Sequence, residues 1–181
     1  LWWQIIGDFS QPASRAANVY FLDIGQGDGQ LVMIPTDQKN KWVKVLIDAG
    51  NGKKIAAALD KILGRSNDKY IDLLIMSHPH VDHFGGFVEV LKRYEVGAFI
   101  YNGQRRDAER GAVPLWTELE SLLTQKQIPL MVLDEKDYIR YQNTSLAVLS
   151  PSSSALTHSV DEASLVLMLD SHNNKVLFTG D

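Results

Sequence analysis

Apolar and polar positions run along the chain in two rhythms, and the change from one to the other lays out the elements. Val19-Tyr20-Phe21-Leu22-Asp23-Ile24 is an apolar, β-prone run broken by Gly25, Gly27 and Gly29, and Leu31-Val32-Met33-Ile34 resumes it before Pro35. Trp42-Val43-Lys44-Val45-Leu46-Ile47 is a third strand, ending at Asp48-Ala49-Gly50-Asn51-Gly52. The opening therefore predicts strands joined by turns, in an antiparallel or mixed sheet. Ile55, Leu59 and Ile62 then fall at helical spacing and stop at Gly64. Ile71-Asp72-Leu73-Leu74-Ile75-Met76 has the pattern of a strand buried on both faces. A short helix over about Phe87–Tyr94, a strand at Ala98–Tyr101 and a longer helix from Pro114 follow, the last with Leu115, Leu119, Leu122 and Leu123 on one stripe. Strands at Leu130–Leu133, Leu146–Leu149, Leu165–Leu169 and Val176–Phe178 complete the chain. Sheet and helix in alternation predict the α/β or α+β class, with helices covering a mixed sheet.

The 181 residues, 45% of them hydrophobic, are enough for one domain with a real core. Cysteine is absent, which excludes a disulfide scaffold, a thiolate zinc site, an iron–sulfur cluster and a cysteine nucleophile. A net charge of −4 argues against retention on nucleic acid by bulk charge and leaves room for a local basic patch. No window approaches the ~18 consecutive apolar residues of a membrane span. Residues 1–18 read as an arm and linker, with Leu1-Trp2-Trp3-Gln4-Ile5-Ile6 either flanking a bilayer interface or packing on the domain, and residues 19–181 as the domain itself.

The chemistry concentrates in Ser77-His78-Pro79-His80-Val81-Asp82-His83-Phe84-Gly85-Gly86, where three of the five histidines lie within six residues. In an extended backbone His78 and His80 point to one side and can share an ion, whereas the adjacent Asp82 and His83 diverge and suit a second one. The segment follows a buried strand, at the end where α/β proteins place their ligands. A chance polar run in a surface loop is the competing reading. Four potential ligands between a strand and a glycine pair disfavour it.

His78-Pro79-His80-Val81-Asp82-His83 resembles the H-x-H-x-D-H signature of the metallo-β-lactamase fold superfamily. Phe21 through Asp28 is similar to the opening of the hydrolase domain of ComEC-type DNA-uptake proteins, as are Leu46-Ile47-Asp48-Ala49-Gly50, Glu162-Ala163-Ser164-Leu165-Val166-Leu167 and Leu177-Phe178-Thr179-Gly180-Asp181 to later segments of it. The resemblance implies a four-layer αββα sandwich, of which this chain would be the first half plus return strands, with a late ligand histidine beyond Asp181. It implies two divalent ions, zinc first and manganese or iron as alternatives. His78 and His80 would hold the first, Asp82 and His83 the second, and Asp181 would bridge them. Either His158 or Asp161 would complete the first set, His158 being preferred because imidazole is the commoner ligand there. Asp48 would support the ligand loop. Asp28 would do the same or serve as an Asx-turn residue. The implied activity is hydrolysis of phosphodiesters, DNA above all, by a metal-bridging hydroxide, with Asp82 catalytic. The alternatives are hydrolysis of small esters or lactams, and a non-catalytic DNA-handling module with a vestigial site. The implied partners are nucleic acid or a small phosphodiester, a membrane channel domain upstream and a second copy of the chain. The resemblance alone would put the protein outside the cytoplasm or at a bacterial membrane; the residues themselves leave its localisation open.

Elsewhere the bland readings prevail. Lys39, Lys41 and Lys44 read as a solvated hairpin, Lys53-Lys54 as a helix start, and Arg105-Arg106 with Arg110 as a solvated loop rather than a phosphate grip. His172 reads as a turn residue. Gly25-Gln26-Gly27-Asp28-Gly29 leads into a strand, not a helix, and is therefore no dinucleotide loop.

Overall fold

Strands that are apolar on both faces need a partner on each, and the fold supplies helices on one side and a second sheet on the other. The computed structural model describes residues 16–38, 40–64, 69–104, 112–152 and 159–181. The first sheet holds β1 (Asn18–Phe21), β2 (Gln30–Pro35), β3 (Trp42–Ile47), β4 (Tyr70–Ile75), β5 (Glu95–Tyr101) and β6 (Leu130–Val132), side by side in chain order. β1, β2 and β3 are antiparallel, and β3 through β6 are parallel. Parallel neighbours require crossovers, which α1 (Lys54–Leu63), the pair α2 (Val81–Phe84) and α3 (Phe87–Arg93), and α4 (Ala112–Gln125) provide. The second sheet is wholly antiparallel, in the order β10 (Asn174–Phe178), β9 (Val166–Ser171), β8 (Thr144–Ser150) and β7 (Tyr138–Tyr141).

Alternation along each strand sorts the residues into two cores. Leu31, Leu46 and Leu74 face the helices and meet Ile55, Leu59 and Phe87. Val32, Val45, Ile75 and Ile100 face the other way, onto Leu146, Val148, Leu167, Leu169 and Phe178. Each such side chain contributes about 1.5–3 kcal/mol of burial. The outward side of the second sheet leaves Tyr138, Leu149 and Leu177 exposed.

Most elements follow the sequence rhythm. α1 closes where Gly64 takes φ +71° and donates its N–H to the Asp60 carbonyl. α4 begins slightly earlier than Pro114, which sits in its first turn where a missing N–H costs nothing. β1 stops at Phe21 rather than Ile24, because the chain turns back through Leu22 N–H donating to the Gly29 carbonyl. Two elements were not foreseen: β7, a short strand with polar Arg140 inside it, and the single turn α2. Lys44 is a correction. It is buried in the middle of β3 rather than solvated, and its backbone N–H donates to the Asp72 carboxylate. Lys39 and Arg105, Arg106 and Arg110 lie outside the described residues, as does the arm at residues 1–6. Among the described residues no helix is long and apolar enough to cross a membrane.

Candidate metal centre

The parallel half of the first sheet ends its strands on one rim, and β4 delivers Ser77, His78 and His80 there. His80 is still extended (φ −83°, ψ 145°), and its carbonyl accepts the N–H groups of His83 and Phe84 to start α2. Two glycine turns brace this segment from outside. Ala49 donates its N–H to the His83 carbonyl at 2.8 Å, and Asp28 donates its own to the Asp82 carbonyl at 3.2 Å. Gly27 has φ +90°, and a Cβ there would overlap the Asp82 carbonyl, so the turn and the ligand segment fit only without a side chain.

The donor atoms converge in two overlapping sets. His78 Nε2 lies 3.1 Å from His80 Nδ1, and Asp161 Oδ1 lies 3.1 Å from His80 Nδ1 and 3.8 Å from His78 Nε2. On the other side of His78, His83 Nε2 lies 3.4 Å from Asp181 Oδ1. His78, His80 and Asp161 form one set and His78, His83 and Asp181 the other, each with its ligand atoms within 4.8 Å of one another. His78 and His83 are buried with ring centroids 4.1 Å apart, whereas Asp161 and Asp181 are half exposed. The centre is thus closed behind the histidines and open on the carboxylate side.

Asp48 anchors the closed side. It is 2% exposed with φ +53°, an unusual conformation for a residue with a side chain. Its Oδ1 accepts the Ser77 N–H at 2.8 Å, and its Oδ2 accepts the Ser77 hydroxyl at 2.6 Å and lies 2.9 Å from His83 Nδ1. Burial alone would lower the pKa of His83. The hydrogen bond to Asp48 and the charges of Asp48, Asp181 and Asp82 overcome this and raise it to about 9. Burial, and then the positive charge of His83, push His78 the other way, below the usual histidine range. Asp28 is raised, first by burial and then by the neighbouring carboxylates Asp48, Asp181 and Asp82, with His83 opposing. So dense a set of carboxylates beside imidazoles suits a cation.

The model of the metallo-β-lactamase superfamily matches residues 39–181, well over half of the sequence. The chain belongs to that superfamily. Solved structures similar to it include MEM-A1, a subclass B3 metallo-β-lactamase from a soil metagenome library, at TM-score 0.55 and 14% identity over 90% of this chain and 59% of that one. The metallo-β-lactamase SMB-1, bound to 2-mercaptoethanesulfonate, gives TM-score 0.56 and 14% identity over 90% and 61%. A Cronobacter sakazakii metallo-β-lactamase gives 0.55 and 15% over 89% and 58%. The chain thus spans about three fifths of the length of these relatives, and at such identities the likeness shows the fold alone. No curated protein matches the chain.

In this superfamily chain the site differs from the sequence expectation in two respects. His78 belongs to both donor sets, where a first-ion role alone was expected. Asp82 belongs to neither set among the described residues, because α2 replaces the extended backbone on which its divergence from His83 was argued; its charge still acts on His83 and Asp28. Asp161 stands beside the histidine pair, while the preferred His158 lies outside the described residues. Asp161 is placed there by its own turn and by hydrogen bonds from elsewhere. Ser164 donates its N–H to the Asp161 carbonyl, Leu165 donates to the Ser77 carbonyl, and fully buried Asn102 donates Nδ2 to the Ala163 carbonyl at 2.7 Å. Sequence reasoning missed Asn102; its one signal was a polar residue closing an apolar strand. His172 is in a turn at φ +51°, as expected. Imidazoles with carboxylates and no thiolate form a donor set that fits a borderline or hard divalent ion.

Proposed function

We propose that this chain is the metal-binding part of a hydrolase that cleaves phosphodiesters, DNA foremost, with two divalent ions. The observation that carries the reading is the pair of three-donor sets meeting at His78, each with one carboxylate. His78, His80 and Asp161 would hold the first ion; His83 and Asp181, which share His78 with that set, would hold the second, and Asp82, outside both sets among the described residues, would move in to join it. Zinc is the first choice and manganese or iron the alternative, given the oxygen donors. Divalent ions in such a site lower the pKa of water and neutralise charge on a transferring phosphoryl group. The chain's own residues would orient the parts: Asp48 fixes the His83 ring, and Asp82 would take a proton from the attacking water. Lys54, whose Nζ lies over Gly25 of the turn that braces Asp82, offers a cation to substrate phosphate at the rim. The similarity of Phe21–Asp28 and Glu162–Leu167 to ComEC-type domains supports DNA as substrate.

The second reading, hydrolysis of a lactam or small ester, is favoured by the structural relatives, which are β-lactamases by description. Metal analysis by mass spectrometry comes first. Assays on single-stranded DNA, bis(p-nitrophenyl) phosphate and a chromogenic cephalosporin then separate the readings. Turnover of the cephalosporin alone would overturn the phosphodiesterase.

A further inference from the structure

We infer that Ser77 is a positioning residue: its hydroxyl fixes the tautomer of His78 and passes to it the charge of Asp48, so that one buried carboxylate governs both donor sets. This rests on the metal-ligand reading above, and deepens it. The geometry has a single consistent direction. His78 Nε2 is the atom that meets His80 Nδ1 and Asp161 Oδ1, so the lone pair offered to an ion is on Nε2 and the proton is on Nδ1. Nδ1 lies 3.0 Å from Ser77 Oγ, which therefore accepts that proton's hydrogen bond. The hydroxyl has one proton of its own to give, and Asp48 Oδ2 takes it at 2.6 Å. The same Oδ2 lies 2.9 Å from His83 Nδ1, which leaves His83 Nε2 facing Asp181.

One oxygen thus orients His83 directly and His78 through one hydroxyl. All four side chains are 2% exposed or less, so water does not compete for these bonds. Partners that orient a ligand histidine usually change metal affinity 10- to 100-fold when removed. The relay predicts unequal effects: Ser77 acts through His78 alone, whereas Asp48 acts on His78 through Ser77 and also holds His83 directly.

The test compares the whole chain with Ser77→Ala and Ser77→Thr, the latter keeping the hydroxyl. Nitrogen-15 NMR of the metal-free proteins reads the His78 tautomer, and calorimetric titration with Zn²⁺ reads each affinity. The expected result is Nδ1–H on His78 in the unmodified chain and in Ser77→Thr, but not in Ser77→Ala. Ser77→Ala should bind the ion held by His78, His80 and Asp161 10- to 100-fold more weakly, and an ion on His83 and Asp181, where His83 keeps its direct bond to Asp48, should weaken less. An unchanged tautomer in Ser77→Ala would overturn the inference, as would equal weakening of both ions in both variants. If the unmodified chain takes up no Zn²⁺, the ligand reading fails, while the tautomer still decides whether the relay exists.

Discussion

Asp48 and His83 form a buried pair whose titration should be visible in stability before any metal is added. The folded pKa of His83, about 9, lies above the ~6.5 of an unfolded histidine. The stabilisation from this pair is therefore complete below pH ~6.5 and is lost as pH rises through about 9. Urea unfolding of the metal-free chain should show stability falling across that window, and the fall should flatten in Asp48→Asn. An ion that takes Nε2 of His83 must displace a proton, so zinc binding at neutral pH should release protons. Titration calorimetry in buffers of different ionisation enthalpy measures the number. Identical heats across buffers would mean that His83 is already neutral or is not a ligand.

At the scale of elements, the turns carry as much of the site as the histidines do. Gly27→Ala forces a side chain at φ +90° into the Asp82 carbonyl, so the turn must move away from α2. A loss of about 2–4 kcal/mol is expected in urea unfolding, with weaker metal uptake. Asn102→Ala removes a buried donor from the Ala163 carbonyl. It should cost about 1–3 kcal/mol and lower metal affinity more than an exposed substitution such as Thr117→Ala does. These two residues also mark the limit of what the sequence discloses. α1 and β4 were legible because burial imposes one rhythm over six to ten residues. The histidine segment was legible because its donors are neighbours in the chain. That Asp161 stands at His80 depends on Asn102, which donates to the Ala163 carbonyl, and on the Ser77 carbonyl, which accepts from Leu165, residues far away in sequence, and no local pattern encodes that. β7 escaped for a related reason: with Arg140 in its middle it has no apolar run, and its pairing with β8 makes it a strand.

For the whole molecule, the first sheet ends in an unprotected edge. Leu130, Met131 and Val132 of β6 are 57%, 47% and 53% exposed, and among the described residues their strand pairs only with β5. Open apolar edges recruit further strands, so self-association is expected, with Met131→Lys suppressing it in sedimentation velocity. The centre has a different whole-molecule role. Its histidines extend from the end of a first-sheet strand, while Asp161 and Asp181 flank the second-sheet hairpin. At the opposite end, Ala17 and Thr144 already meet at the Ser171 hydroxyl. Ions seated between the histidines and the aspartates would therefore act as reversible cross-links between the two sheets. His83 and Asp181 stand almost a hundred residues apart in the chain. Tying them would remove about as much freedom from the unfolded ensemble as a disulfide closing a loop of that length, about 4–5 kcal/mol in chain-entropy terms. Chelation would then loosen one end of the sandwich and leave the other shut, with faster amide exchange confined to the start of β9 and the end of β10.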